Sequence, residues 1–259
     1  MARMMSKKAD RQERILTALD RNPALRVNEL SDELGVSSET IRRDLAELGE
    51  AGRISRTYGG AVRNQVFEPA LAERLKLKVR ERQAIARAAL AILDGIDTLF
   101  IGGGATVLHF ARALRALPKP MNVLTPSFSV AIELSSNPRM QIMSLPGLFN
   151  GSEGLVHGPD TLAAIRKYNT PAAILGASGV DEGGVSEALL AASQVYSAII
   201  EQSDRSVILA DATKFDKRAL TTITAWGPNI HLVTDARPPE ALAHAIEAGR
   251  AEMTVAAVG

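Results

Sequence analysis

The sequence predicts a two-part chain. Residues 1–63 form a small helical module with a two-stranded wing, and residues 83–259 form an α/β domain on a parallel sheet. A connector over 64–82 joins them. Two observations carry this division. Up to Leu48, apolar residues recur at helical spacing in short runs separated by glycines. From Asp97 onward, short apolar runs alternate with amphipathic stretches, which is the pattern of a parallel sheet covered by helices on both faces.

Taken in order, Ile15, Leu16 and Leu19 share one helical face, and Asn22-Pro23 ends that helix. A second helix spans about Val27 to Leu34, and Gly35 breaks it. Ser37 can cap a third helix, whose Ile41, Leu45 and Leu48 fall at i, i+4 and i+7. With those three buried, Glu39, Arg42, Arg43 and Ala46 face outward. Gly49 and Gly52 close the helix. Residues 53–62 alternate and turn at Gly59-Gly60, as a two-stranded wing does. The connector holds Pro69 and runs into a charged helical stretch, Glu73 to Leu93. The strands of the large domain are expected within 97–101, 121–125, 140–145, 171–177, 206–211, 231–235 and 252–258.

Composition excludes several classes. The chain has 259 residues, 46% hydrophobic and 23% charged, which is ordinary for a globular protein. It contains no cysteine, so disulfide scaffolds, thiolate zinc sites and cysteine nucleophiles are ruled out. No uncharged apolar run approaches the ~18–20 residues of a membrane span, and the basic start lacks the apolar core of a secretory signal. A cytoplasmic location is expected. The net charge of +1 says nothing about partners. More telling is that Arg53, Arg56 and Arg63 lie in a stretch, 51–67, with no acid at all, which suits phosphate contact as well as a solvated turn.

Two helices, a tight turn and a polar outer face on the second helix are the parts of a helix-turn-helix. Ser37, Ser38 and Thr40 lie at the start of the third helix, where hydroxyls and unpaired N–H groups suit a phosphate. Arg42 and Arg43 reach farther and can pair with guanine edges. Arg56 and Tyr58 in the wing complete the expected double-stranded DNA contacts. A generic three-helix bundle with a solvated charged face has the same spacing. Tyr58 is the lone aromatic of the wing, which argues against single-strand RNA recognition.

In the large domain, Gly102-Gly103-Gly104-Ala105-Thr106 follows an apolar strand and opens a helix. Such a loop presents N–H groups to an anion, or is simply a tight turn. It does not fit GxGxxG, and no cofactor is expected. Thr125, Ser127, Asp211 and Lys214 fall at other strand ends, where ligands gather in open α/β sheets. Asp211 and Lys214 can equally be a structural ion pair. His109, His157, His231 and His244 show no metal-ligand spacing.

The string from Val36 to Val62, with TIRRDL at Thr40–Leu45 and GGA at Gly59–Ala61, resembles the N-terminal winged helix-turn-helix of the DeoR family of bacterial repressors. From about Arg74 the chain is similar to the sensor domain of that family, through ILGASGVDEGG, AIIEQS, ADATKF and VTDARPP. Within the family the pattern is closest to that of glycerol-3-phosphate regulon repressors. The resemblance implies a sensor related in fold to ribose-5-phosphate isomerases, a phosphorylated sugar or polyol effector, and a homo-oligomer. The effector residues it implies are Gly102, Gly103, Gly104, Ala105, Thr106, Thr125, Ser127, Asp211 and Lys214. The family usually carries Asp at 102, Ser or Thr at 105, a glycine at 146, Glu near Ala192 and Lys near Tyr196. These departures lead to the expectation of a roomier, less acidic pocket and a bulkier effector, such as a sugar phosphodiester. A sugar-phosphate isomerase with a helical module is the alternative, but a general base is hard to find.

Overall fold

A computed structural model of the chain describes residues 7–21, 25–50, 54–57, 60–63 and 70–258. It divides into two compact units, Met1–Phe67 and Glu68–Gly259.

The first unit contains α1 (Lys7–Arg21), α2 (Val27–Leu34), α3 (Ser38–Glu50) and the antiparallel pair β1 (Ile54–Thr57) and β2 (Gly60–Arg63). Its core is the predicted stripe: Ile15, Leu16, Leu19, Leu30, Ile41, Leu45 and Leu48, joined by Ile54. Each such side chain contributes ~1.5–3 kcal/mol by leaving water. One buried acid interrupts this apolar set. Asp44 on α3 pairs with Arg11 on α1, while Glu47 takes Lys8 and Gln12. These bonds tie α1 to one flank of α3 and leave the Arg42–Arg43 flank outward.

Gly35 adopts φ +66°, and its N–H and that of Val36 both donate to the Ser31 carbonyl. A side chain there meets nothing within 4 Å, so a substitution pays only in backbone strain. Gly35→Ala is expected to cost about 1–2 kcal/mol. Amide hydrogen exchange in α2 and α3 of the full chain then quickens by roughly five- to thirtyfold; unchanged exchange contradicts the assignment.

The second unit runs α4 (Leu71–Arg74), α5 (Val79–Ala91), β3 (Thr98–Ile101), α6 (Ala105–Arg115), β4 (Met121–Thr125), α7 (Phe128–Leu134) and β5 (Met140–Ser144). It continues with β6 (Leu148–Asn150), β7 (Leu155–His157), α8 (Pro159–Ile165), β8 (Thr170–Gly176), β9 (Gly179–Asp181), β10 (Gly184–Glu187), α9 (Leu190–Glu201) and β11 (Ser203–Leu209). After a 3₁₀ turn at Ala212–Lys214 come β12 (Thr221–Thr224), β13 (Ile230–Thr234), α10 (Glu240–Ala248) and β14 (Glu252–Val255).

Seven of these strands form one sheet in the order β14-β13-β11-β8-β3-β4-β5, and every pairing is parallel. They are the seven apolar runs of the sequence. Alternate residues point to opposite faces. Leu99, Ile101, Ile174 and Val207 pack with Ile85, Phe110 and Val130 of α5, α6 and α7. Phe100, Leu175 and Ile208 pack with Ile165, Val195, Ile199 and Leu242 of α8, α9 and α10. The chain winds outward from β3 through β4 to β5, then returns to β8 beside β3 and winds the other way. The carboxyl ends of β3 and β8 therefore flank a topological switch point, where ligands of such sheets bind. The hairpin β6–β7 and the small antiparallel sheet β12-β10-β9 were not foreseen. Their strands have three or four residues, too few for a period to show.

Of the expected connector, 64–82, the residues from Leu71 on lie in the second unit. The charged stretch is also not one helix: it breaks over Leu75–Lys78, with Lys78 at φ +53°.

Candidate functional site

The two units each present a face with polar groups gathered on it. On α3, Ser37 caps the helix, its Oγ accepting Thr40 N–H at 3.2 Å and lying 2.9 Å from Thr40 Oγ1. Ser38 Oγ turns back to Ser31 Oγ and Asn28 Oδ1, both at 3.4 Å, across the turn between the two helices. Arg42 and Arg43 are exposed, with side chains 58% and 77% accessible, and flank Glu39 at 3.9 and 3.4 Å. Exposed pairs of this kind hold little energy, so both guanidinium groups can be redirected to nucleic acid at small cost. Arg56 stands in β1 opposite Ala61. The Arg56 side chain and Tyr58 lie outside the described residues.

In the second unit a cleft opens at the switch point. Its lining includes Gly103, Gly104, Ala105 and Thr106 after β3, Gly176 and Ala177 after β8, and Lys214 after β11. α9 adds Ala192 and Tyr196; the β6–β7 hairpin adds Glu153 and Leu155; β10 adds Glu187. Arg74 of α4 and Arg82 of α5 close it. The cleft is tight: the centre of a water molecule has about 30 Å³ to move in. Gly104, at φ +105°, is the N-cap of α6, and the first bond inside that helix runs from Leu108 N–H to Gly104 C=O. The N–H groups of Ala105, Thr106 and Val107 precede it, so the positive end of the helix faces the cleft.

Five of the nine expected effector residues are thus brought together: Gly103, Gly104, Ala105, Thr106 and Lys214. Four are not. Gly102 N–H is spent on the Ile174 carbonyl, and a side chain there would come within 2.8 Å of Leu175 and 3.1 Å of the Tyr196 ring. The room expected at Gly102 is therefore filled by Leu175 and Tyr196. Thr125 and Ser127 are buried and satisfy the backbone: Thr125 Oγ1 accepts Ser127 N–H at 3.0 Å, and Ser127 Oγ accepts Val130 N–H and caps α7. Asp211 is buried, and its carboxylate accepts from Arg82 Nε and Nη2, each at 3.2 Å, and from Thr213. Asp211 forms an ion pair with Arg82, a partner the sequence reading did not name. Gly103 N–H, expected to cradle an anion, donates to Tyr196 Oη at 3.2 Å. Glu153 and Glu187 line the pocket, so it is not without acid.

These charged groups are deeply paired. Arg74 bonds Glu153, and Arg82 also donates to the Arg74 carbonyl. Glu187 Oε1 accepts Ser178 O–H, Ala188 N–H and Leu189 N–H, at 2.9, 2.9 and 3.1 Å. Burial pushes the Asp211 carboxyl up, but the Thr213 hydrogen bond and the Arg82 charge together hold it below the usual carboxylate range. The sequence did carry one signal for Arg82. It sits on the stripe of Ile85, Ala86, Ala89 and Leu93, all buried. A cation on an apolar stripe needs a buried partner. Among the described residues, no three His, Asp or Glu side chains cluster to hold a metal ion, and no helix is long and apolar enough to cross a membrane.

Residues 11–66 match the model of the DeoR-like helix-turn-helix domain, and residues 77–236 match that of the DeoR C terminal sensor domain. The transcriptional repressor AccR of Agrobacterium fabrum is 32% identical over 82% of this chain and 83% of its own. The repressor CsqR of Escherichia coli is 28% identical over 94% of each. The L-fucose operon activator of Escherichia coli is 29% identical over 89% of this chain and 96% of its own. A ribose-5-phosphate isomerase structure aligns over 52% of each chain at 16% identity and a TM-score of 0.40, too slight a likeness to say what this chain does. The exposed arginine face on α3, the switch-point cleft and both domain matches agree: the chain belongs to the DeoR family of DNA-binding transcriptional regulators.

Proposed function

We propose that this regulator represses a carbohydrate or polyol catabolic operon in the cytoplasm, and that a phosphorylated sugar or polyol in the cleft sets its grip on operator DNA. The observation that carries this is the composition of the cleft wall. Arg74 and Arg82 line it and belong to the first two helices after the boundary at Phe67. A ligand that re-pairs either arginine acts on the segment leading to the DNA-binding unit. Such a ligand must favour one arrangement of that segment over another, or it shifts nothing.

Residues 1–63 then serve as the DNA-binding module and 83–259 as the sensor, and 64–82 lead from one to the other, the part from Leu71 packed into the sensor's unit. Ser37, Ser38, Thr40, Arg56 and Tyr58 hold phosphates, while Arg42 and Arg43 read bases. Two or more copies are needed to span the half-sites of an operator. Relatives named as repressors, and one named for the L-fucose operon, support a sugar-linked role.

Binding rather than catalysis follows from how the carboxylates are used. Glu187 already accepts three hydrogen bonds and Asp211 four, and Glu153 is paired with Arg74, which leaves none of these three carboxylates poised as a general base. Gel shifts with promoter DNA and a panel of sugar phosphates test the proposal. At least one member of the panel is expected to weaken DNA binding tenfold or more. Unchanged binding across the panel, or turnover of ribose 5-phosphate, contradicts it.

A further inference from the structure

Tyr196 is 3% exposed on α9 and lines the cleft one turn after Ala192. With Leu175, its ring takes the place that a side chain at Gly102 would need. Burial, together with the nearby Glu187 charge, pushes the phenol pKa up, and it keeps its proton. An amide can only donate, so in the bond from Gly103 N–H the hydroxyl uses a lone pair and its own O–H is not spent. Among the described residues no hydrogen bond takes that proton. The hydroxyl is therefore a neutral donor held in the cleft wall, suited to an oxygen of a bound molecule.

The formal charges around it cancel. Arg74, Arg82 and Lys214 face Glu153 and Glu187, with Asp211 behind Arg82. The start of α6 adds roughly half a positive charge. One negative charge on a ligand is matched by that arrangement. A second has to sit in a tight, buried site against Glu153 and Glu187 without a further cation among the described lining residues to offset it.

Resting on the effector role given above, we propose that the cleft is selective for a singly charged phosphodiester of a sugar or polyol over a doubly charged phosphomonoester, with Tyr196 donating to a phosphate oxygen. The phenol supplies a hydrogen bond without supplying charge. A small diester suffices, because the room at Gly102 is already taken.

The test is calorimetry on the full-length chain at a pH above the second phosphate pKa of about 6, with glycerol 3-phosphate and the diester glycerophosphoglycerol as probes. The native chain is expected to bind the diester about tenfold more tightly or better. Tyr196→Phe should lose roughly tenfold on the diester and quicken hydrogen exchange at the Gly103 amide. A preference for the monoester, or full diester affinity in Tyr196→Phe, overturns the selectivity proposal and leaves the effector site standing. Binding of neither probe overturns both. Should Tyr196→Phe fail to fold, the native preference between the two probes still decides.

Discussion

Asp211→Ala is expected to destabilise the second unit by about 3–5 kcal/mol, because it leaves the buried Arg82 guanidinium without its counter-charge. Asp211 and Arg82 are 1% and 5% exposed, so water cannot replace the lost partner. Urea unfolding followed by fluorescence reports this directly, since Trp226 is the only tryptophan and is buried in that unit. A loss below about 1 kcal/mol contradicts the role given to the pair, being the size of an exposed one. The same pair has a pH signature. The folded Asp211 carboxyl titrates below its unfolded value. Its contribution is therefore complete above the unfolded pKa of about 3.9 and is lost as pH falls through the lower folded value. In Asp211→Ala that part of the acid sensitivity disappears.

Arg43→Ala is expected to cost about 1–3 kcal/mol of operator affinity and to relax preference at one base position. Arg43 is the most exposed side chain of the α3 face, and its one ionic partner there, Glu39, is exposed too. The stability of the first unit should not change, since the buried stripe of Ile41, Leu45 and Leu48 lies on the opposite side of the helix. Gel shifts against the operator and against scrambled duplexes check this. An equal loss on every sequence contradicts base reading and leaves only a phosphate contact.

Much of the scaffold was legible because period and punctuation are strong signals where elements are long or well bounded. Ile41, Leu45 and Leu48 fixed the face of α3, and Gly35 and Ser37 fixed the turn before it. The inner parallel strands showed as apolar runs because both of their faces are covered, while β5 and β14 at the edges keep exposed residues. The cleft was only partly legible, because it is built from pairings that spacing does not encode. Gly103, Gly104, Ala105, Thr106 and Lys214 could be placed by their position at strand ends. Thr125 and Ser127 sit at an equivalent end but spend their hydroxyls on the local backbone. Tyr196 looks like core on a helix buried along most of its length, and its polar tip matters only because Gly102 lets the ring approach. Glu153 arrives on a hairpin whose strands have three residues each. No pattern in the sequence links it to Arg74, 79 positions away.

Footprinting of the purified full-length chain on DNA upstream of its own reading frame tests most directly whether α3 and the wing grip a duplex. A protected stretch with two related half-sites is expected, lost when Arg42 and Arg43 are both replaced by alanine and altered by a ligand of the cleft. No protection under any of these conditions contradicts the account.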